Sequence, residues 1–555
     1  MTAAAGPWRR FIPSRERLSD LRGRWHRVLV LSAVTGLITS LTVVGFTELT
    51  EGVLLDHLLE LAEPALIVAP VVGLIIAWAL LRFAGRHATP AISDEYLRAY
   101  HGRPCRRDIR AFGSRVAASV ATLGSGGAMG FEGPSMFLGA STGRWLQDRY
   151  RRFFRAQDTH VLLVAGAAAG VAAIFKAPAT GAIFALEVPY QQDNASHAVL
   201  PALIASATSY LTFVLFEGTE RLFPVSGVPG FDARDLLGAL GIGVLCGLGA
   251  RLFATVIVRV KQVQRRTPAS RALLIAGIGM ALLTALSLLA FDQPLNLGPG
   301  YDAIAWAQDP SRSVWLVLLL MAVRPVATTL TLVGGGAGGL FIPLFVEGWL
   351  VGTALEAILA TDTSLFPVIG AAAFLGAGYR TPIAAVVFVA ESTGRPGFIV
   401  PALLATAVAQ LLMGSKSITE YQLPRRVSAL KRRLEQPVSV AVQTDDPTCT
   451  SSTMLARVVR ESRSGASMPV VDDGSYRGMV SITRAVVSVD PADWGSTSVA
   501  AWIDPVEPVG EDWPVRRALD ALKTAGLDLL PVVDTGGAYV GVVHGADLMP
   551  DDAES

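Results

Sequence analysis

Cysteine is almost missing from this chain and charge is thin. Cys105, Cys246 and Cys449 are the only cysteines and stand far apart, which excludes a disulfide framework and a cysteine-based metal centre. Charged residues make up 17% of the 555 residues, where a soluble domain carries about a quarter. A net charge of +1 offers no basic field to a nucleic acid, so no nucleic-acid partner is expected. Enzyme signatures are lacking too. There is no His-x-x-x-His and no paired Asp in an apolar stretch, so an intramembrane enzyme is not expected. Acids clustered for a divalent cation are also missing, and no metal and no resident cofactor are expected.

Apolar sequence is abundant instead. Hydrophobic residues reach 51% and mean hydropathy is +0.46, the balance of a membrane protein. Arg9, Arg10, Arg15, Arg17, Arg22, Arg24 and Arg27 precede the first long run, 28–46, which predicts a cytoplasmic N-terminus, residues 1–27. That run is too long for a signal segment and has no clear cleavage site after it, so it reads as a retained span. Long apolar runs recur at 65–81, 161–174, 200–215, 236–257, 273–289 and 314–332. Others, at 120–140, 176–189, 338–353 and 382–391, are short and cut by Gly or Pro. A helix needs about 20 apolar residues to cross a bilayer, so these pieces read as half-helices or steeply tilted ones. Broken segments of this kind line cavities in transporters and channels.

One such break carries a carboxylate. Gly130-Phe131-Glu132-Gly133-Pro134 follows the glycine-rich 124–129 stretch. An acid at membrane depth is expensive and points to an ion or proton path. Its glycines let the backbone unwind and bring N–H groups toward an anion at the start of a helix. A carboxylate held among such amides can occupy the anion's own place, which is how a gate can be built.

The sequence also repeats itself. Lys176-Ala-Pro178 through Phe184 to Glu187 matches Arg380-Thr-Pro382 through Phe388 to Glu391, and each copy follows a glycine-rich break that ends in proline, 130–134 and 334–343. Two equivalent broken segments predict a binding site where two halves, about 28–216 and 234–423, meet. Beyond about residue 424 the chain is polar and repeats again. Met468-Pro469-Val470-Val471-Asp472 with 478–481 returns as Leu530-Pro531-Val532-Val533-Asp534 with 541–544, each predicting two strands and a helix.

That polar tail, 424–555, resembles a tandem cystathionine-β-synthase (CBS) pair, about 435–490 and 500–550. In that family a Ser/Thr and an Asp three residues on hold a nucleotide. Here Ser481 is followed by Arg484 and Asp547 is preceded by His544, so each half-site is incomplete. Adenine-nucleotide binding through Ser481 and Asp547 is expected to be weak.

The membrane half, 28–423, resembles the CLC chloride channel and transporter family. Gly130-Phe131-Glu132-Gly133-Pro134 matches its gating-glutamate motif, and Gly338-Gly339-Leu340-Phe341-Ile342-Pro343 its Gly-x-Phe-x-Pro motif. The resemblance implies an inverted repeat of tilted and broken α-helices in the cell membrane, a homodimer with a pore in each subunit, and chloride as the transported partner. It also implies a cytoplasmic CBS tail. Glu132 becomes the gate, with Phe131, Gly133, Leu340, Phe341 and Ile342 around the anion. Physical reading agrees for the amides of Leu340, Phe341 and Ile342, which are donors without net charge, while the Phe341 ring can wall the site.

Departures from the family pattern set the remaining expectations. Phe131 replaces a basic residue, so the outer vestibule should be less positive. The inner-site serine falls at Ala91 or His87, unless Thr89 or Ser93 reaches in. The pore tyrosine falls at Thr419 by strict spacing or at Tyr421 with a small shift, and Tyr421 is preferred because a phenol brings both ring and donor. The exchangers' inner acid is replaced by Val188 after Glu187, which favours channel-like or loosely coupled chloride movement, with Glu187 an anchor. The alternative is a proton–chloride antiporter with a relocated acid. Fluoride export is disfavoured by the intact Pro134. Glu347, about one turn beyond Pro343 on the same face, is the expected relocated acid, with pairing to Arg324 as its structural alternative.

Overall fold

The computed structural model describes residues 15–90, 93–102, 108–154, 158, 160–225, 233–359, 364–425, 433–462 and 467–548, with side chains from residue 25 onward. Arg9, Arg10, the arginine side chains from Arg15 to Arg24, Ala91 and Cys105 fall outside the described residues. The chain divides into two units, Met1–Arg426 and Val427–Ser555.

The first unit is helical. Among the described residues eight helices are long and apolar enough to cross a membrane, by length and composition. In chain order the helices are α1 (Arg15–Thr47), α2 (Asp56–Leu59), α3 (Glu63–Ala79), α4 (Ser93–His101), α5 (Ile109–Gly124), α6 (Glu132–Arg149), α7 (Val161–Phe175), α8 (Pro178–Glu187) and α9 (Val199–Glu217). The second half adds α10 (Ala233–Gln264), α11 (Ala269–Phe291), α12 (Tyr301–Ala307), α13 (Val314–Val333), α14 (Phe341–Leu359), α15 (Leu365–Tyr379), α16 (Pro382–Thr393) and α17 (Ile399–Met413). Of the segments expected to be short, α8 and α16 are half-length, with 10 and 12 residues, whereas α14 runs for 19 residues and is one of the eight.

Hydrogen bonds show that the two halves are equivalent. α5 and α13 both stop before a glycine in the left-handed region, Gly126 (φ 87°) and Gly335 (φ 83°). The Ala128 amide donates to Thr331 Oγ1 at 3.1 Å, and the Ala337 amide donates to Thr122 Oγ1 at 3.1 Å. Gly130 and Gly339 then exchange amide and carbonyl, at 2.9 and 2.6 Å. Each half thus satisfies the freed backbone of the other, which is what allows an unwound segment inside an apolar interior.

The same reciprocity holds the proline-led helices. Glu391, at the end of α16, accepts from the Ala179 and Thr180 amides at 3.0 and 2.8 Å and from Thr180 Oγ1 at 2.6 Å, at the start of α8. Glu187, at the end of α8, accepts from the Ile383 and Ala384 amides at 3.3 and 3.0 Å, at the start of α16. Each carboxylate satisfies orphan N–H groups at a helix's positive end. Both glutamates are anchors, as the repeat implied. Lipid tails are as apolar as leucine, so helix contact here depends on close packing of small residues. A Cβ on Gly139 would lie 2.0 Å from the Gly166 carbonyl oxygen, and one on Gly348 would lie 2.2 Å from that of Gly370, so a side chain at either would force α6 off α7 or α14 off α15.

The second unit contains two three-stranded sheets. β1 (Ser467–Asp472) pairs antiparallel with β2 (Ser475–Ser481), which pairs with β3 (Ile503–Asp504). β4 (Val509–Gly510) runs parallel to β5 (Leu529–Val533), which pairs antiparallel with β6 (Tyr539–His544). Helix Val515–Ala525 buries Val515, Ala518 and Leu522, spaced for one helical face, against β5 and β6 residues Leu530, Val532 and Val543. Leu455–Glu461 does the same for the first sheet through Leu455 and Val458. The sequence repeat is therefore a structural repeat.

Candidate anion site

Two helix N-termini converge at the Gly130–Gly339 bridge, because α6 begins at Glu132 and α14 at Phe341. Both positive ends favour negative charge at this point. Glu132 supplies it. The side chain is buried, and Oε1 accepts from the Phe341 amide at 2.5 Å. The Ile342 amide and the residue's own amide also face the carboxylate, while Oε2 has no partner. The bracketing glycines form its seat. A Cβ on Gly130 would lie 1.9 Å from Oε2, and one on Gly339 would lie 1.9 Å from Oε1. Gly133 is close-packed for a different reason, since its Cβ would meet the Gly338 backbone at 3.0 Å.

The aromatic residues of the two motifs act as walls. Phe131 is buried and packs edge-on against Phe46, with centroids 6.3 Å apart. Phe341 is fully enclosed by Phe175 at 4.6 Å, Phe388 at 5.0 Å and Phe184 at 5.2 Å, so its amide faces the carboxylate while its ring packs among aromatics.

Next to Leu340 lies a small cavity lined by Ser93, Asp94, Lys261, Tyr379, Ile418 and Thr419. Ser93 Oγ and the Tyr379 hydroxyl hydrogen-bond at 3.0 Å, and that phenol also faces the Leu340 amide. The hydroxyl that reaches in is thus Ser93. Ala91 is outside the described residues, His87 is exposed, and Thr89 donates to Glu95 at 2.6 Å. Tyr421 is not at this cavity. Arg98 donates to its hydroxyl at 2.8 Å and lies over its ring at 4.9 Å, which holds it among charged side chains instead. The phenol of the inner cavity is Tyr379, with Thr419 on the wall. A sequence signal existed for Tyr379. It stands before Arg380 where the other repeat has Phe175 before Lys176, so one copy carries a polar handle at an apolar position. Asp94 and Lys261, an ion pair at 2.5 Å with both side chains buried, escaped sequence reading altogether.

Other expected residues lie elsewhere. Val188 is fully buried, and its carbonyl accepts from Gln422 at 3.0 Å. Glu347 lines an apolar crevice of about 630 Å³ with Leu245, Phe253, Pro325 and Phe374, and the crevice shares no residue with the inner cavity. Arg324 and Glu347 attract each other through space without a direct contact. The Arg324 guanidinium donates to the carbonyls of Leu295, Leu297, Gly298 and Pro299 at 2.7–3.2 Å, and no ion pair joins it to Glu347 among the described residues. In the second unit the residues that replace the nucleotide contacts are engaged by acids, Arg484 with Asp504 at 2.7 Å and His544 with Asp446 at 2.5 Å. Asp547 accepts from Gln443 at 3.4 Å, and Ser481 begins helix Ile482–Ser488 without a capping bond.

A helical membrane unit with broken helices aimed at a buried, amide-ringed carboxylate defines a membrane anion transporter. The family profile described as voltage gated chloride channel matches residues 72–414, and the chain belongs to that family. A CBS domain profile matches residues 503–550. The chain is 28% identical over 411 residues to the H(+)/Cl(-) exchange transporter ClcA of Salmonella arizonae, covering 70% of this chain and 86% of the relative. Its identity to the Citrobacter koseri protein of the same name is 27% over 424 residues, covering 72% and 89%. Among solved structures it resembles a slow cyanobacterial Cl-/H+ antiporter, with TM-score 0.61 and 22% identity over 71% of this chain and 96% of that one. A eukaryotic CLC transporter matches with TM-score 0.60 and 17% identity over 94% and 98%.

Proposed function

We propose that this protein exchanges chloride for protons across the cell membrane, with Glu132 as the gate that both ions use. The observation that carries this reading is the Glu132 carboxylate bonded to the Phe341 amide at a helix N-terminus, where a desolvated anion would be received. When ionised, Glu132 competes with chloride for those donors. Protonation removes its charge, weakens its hold and lets chloride take the seat. The same group then carries a proton when it swings away, so one side chain links the two fluxes.

The expectation of a channel-like pore rests on Val188, which takes away one position for a proton and leaves Glu132 in place. The ClcA relatives, named as exchangers, support exchange over passive flow. In this reading Arg82, Arg149, Arg151, Arg152, Arg265 and Arg266 face the cytoplasm with the N-terminus and the CBS pair. The working form is a homodimer, and the CBS pair binds adenine nucleotide weakly at most.

The test is flux from vesicles reconstituted with the purified full chain, following chloride and protons together. An imposed chloride gradient should drive protons the other way, and Glu132→Gln should keep chloride moving while proton movement stops. Chloride flux without chloride-driven proton movement in the unaltered protein would overturn the exchange reading.

A further inference from the structure

Among the described residues, Asp94 and Lys261 are the charged side chains that line the cavity beside Leu340. Asp94 sits in the first turn of α4, and Lys261 in the last turn of α10, so two separate elements bring opposite charges to the cavity beside Leu340. Lys261 Nζ donates to Asp94 Oδ2 at 2.5 Å and to the Ile418 carbonyl at 3.1 Å, while Asp94 Oδ1, buried, has no partner. A buried ion pair is weak evidence for a purely stabilising role, because desolvation can exceed the attraction. One made with a single bond and a spare oxygen is weaker evidence still.

The arrangement repeats the chemistry of Glu132. There a carboxylate occupies amide donors that could receive an anion. Here a carboxylate occupies an ammonium that could do the same, in a cavity that Leu340 lines. Tyr379 bonds Ser93, the chain neighbour of Asp94, and faces the amide of Leu340, the chain neighbour of Phe341, so its hydroxyl adjoins the segments that hold both acids.

Other groups near Asp94 are already committed. Glu95 is bound by Arg98 at 3.0 Å, by Arg115 at 3.0 Å and by Thr89, and Arg265, one turn beyond Lys261, pairs with Glu420. Among the described residues, Tyr379 from α15, Lys261 from α10, Thr419, and Ser93 and Arg98 from its own helix are polar groups near Asp94.

We propose that Asp94 is a second carboxylate gate, seated on Lys261, that accepts the proton Val188 cannot. This rests on the exchange reading above and names its missing acid. A proton arriving from Glu132 passes through the Tyr379 hydroxyl, which takes one proton and gives up another, and ends on the Asp94 carboxylate. Neutral Asp94 releases Lys261, whose uncompensated ammonium draws one chloride from the inner side. When that chloride moves outward, Asp94 loses its proton inward and returns to Lys261. Charge on the pair is balanced at each stage, and the two ions travel in opposite directions.

The experiment uses the purified full chain in vesicles, with Asp94→Asn, Asp94→Glu and the double variant Asp94→Asn/Lys261→Met, reading chloride and proton fluxes together. Chloride should continue to move in Asp94→Asn while protons carried per chloride fall by about tenfold or more, and Asp94→Glu should restore them. The double variant, which leaves no lone buried charge, should behave as an uncoupled chloride pathway and covers the case in which Asp94→Asn does not fold. A folded variant without the acid that couples like the unaltered protein overturns the assignment and leaves the exchange reading standing. Equal loss of both fluxes, unrestored by Asp94→Glu, also overturns it and makes the pair a structural peg. Absence of chloride-driven proton movement in the unaltered protein overturns the exchange reading itself.

Discussion

Replacing Gly130 with alanine tests the seat of Glu132 with one methyl group. The three heavy atoms nearest to a Cβ at this position all belong to the Glu132 carboxylate, at 1.9, 2.8 and 3.0 Å, where ordinary contact begins at 3.4 Å. Gly130 is not in the left-handed backbone region, so alanine can adopt its conformation. The methyl therefore has one thing to displace, and that is the gate. Leaving the seat costs the carboxylate its bond from the Phe341 amide. Bonds to a charged group contribute about 1.5–3 kcal/mol, so the ratio of seated to displaced carboxylate should fall by about 10- to 150-fold. Ionised Glu132 competes with chloride, so flux through the unaltered protein should decline as pH rises. Gly130→Ala should remove most of that decline and tighten chloride binding, read by efflux from vesicles across acid to alkaline pH and by calorimetry on the purified protein. On a Glu132→Gln background the same methyl should change flux by less than about threefold, since the group it acts on has lost its charge. A folded Gly130→Ala with an unaltered pH curve would refute the seated-carboxylate reasoning.

Four further outcomes follow from the same geometry. Glu391→Ala should lower thermal stability in detergent by about 1–3 kcal/mol, and Glu187→Ala by less, because Glu391 holds three donors at 2.6–3.0 Å and Glu187 two at 3.0 and 3.3 Å. Glu347→Gln should leave proton coupling intact, since its crevice is separate from the inner cavity; loss of coupling with chloride flux retained would return Glu347 to the path. Calorimetry of ATP with the full chain should detect no submicromolar site, and finding one would show that Arg484 and His544 do not spoil the two half-sites. Burial pushes the Cys449 thiol up to about 11, so at mildly alkaline pH it stays protonated and should resist alkylation in a folded Cys105→Ser protein until denaturant is added.

Glu132, Phe341 and the repeat could be read from sequence because the physics that shapes them is local. An acid inside a glycine break, and a proline-led helix with a glutamate at its end, can be recognised within a dozen residues. Even the exchange of caps between Glu187 and Glu391 follows once the two copies are set side by side. The inner cavity had no such signature. Ser93 meets Tyr379 across 286 residues and Asp94 meets Lys261 across 167, so neither pair leaves a spacing to recognise. In the sequence Asp94 is one acid of an ordinary first turn, and Lys261 is one base beside Arg265 and Arg266 at the end of a span, where basic residues are expected anyway.

Tyr421 shows how side-chain chemistry can mislead where spacing does not, since strict spacing points to Thr419, which lines the inner cavity. A phenol brings ring and donor together, but the property that qualifies it for an anion also qualifies it for a guanidinium. Arg98 takes both the hydroxyl and the ring face. Tyr379 escapes that competition because it lies at the end of a fully buried helix, α15, where Ser93 and the Leu340 amide are its polar neighbours. The family pattern carries a role from place to place, and the local charges decide which side chain is left to fill it. On that logic the acid missing at Val188 has its proposed replacement beside Lys261, the buried ammonium that lines the inner cavity.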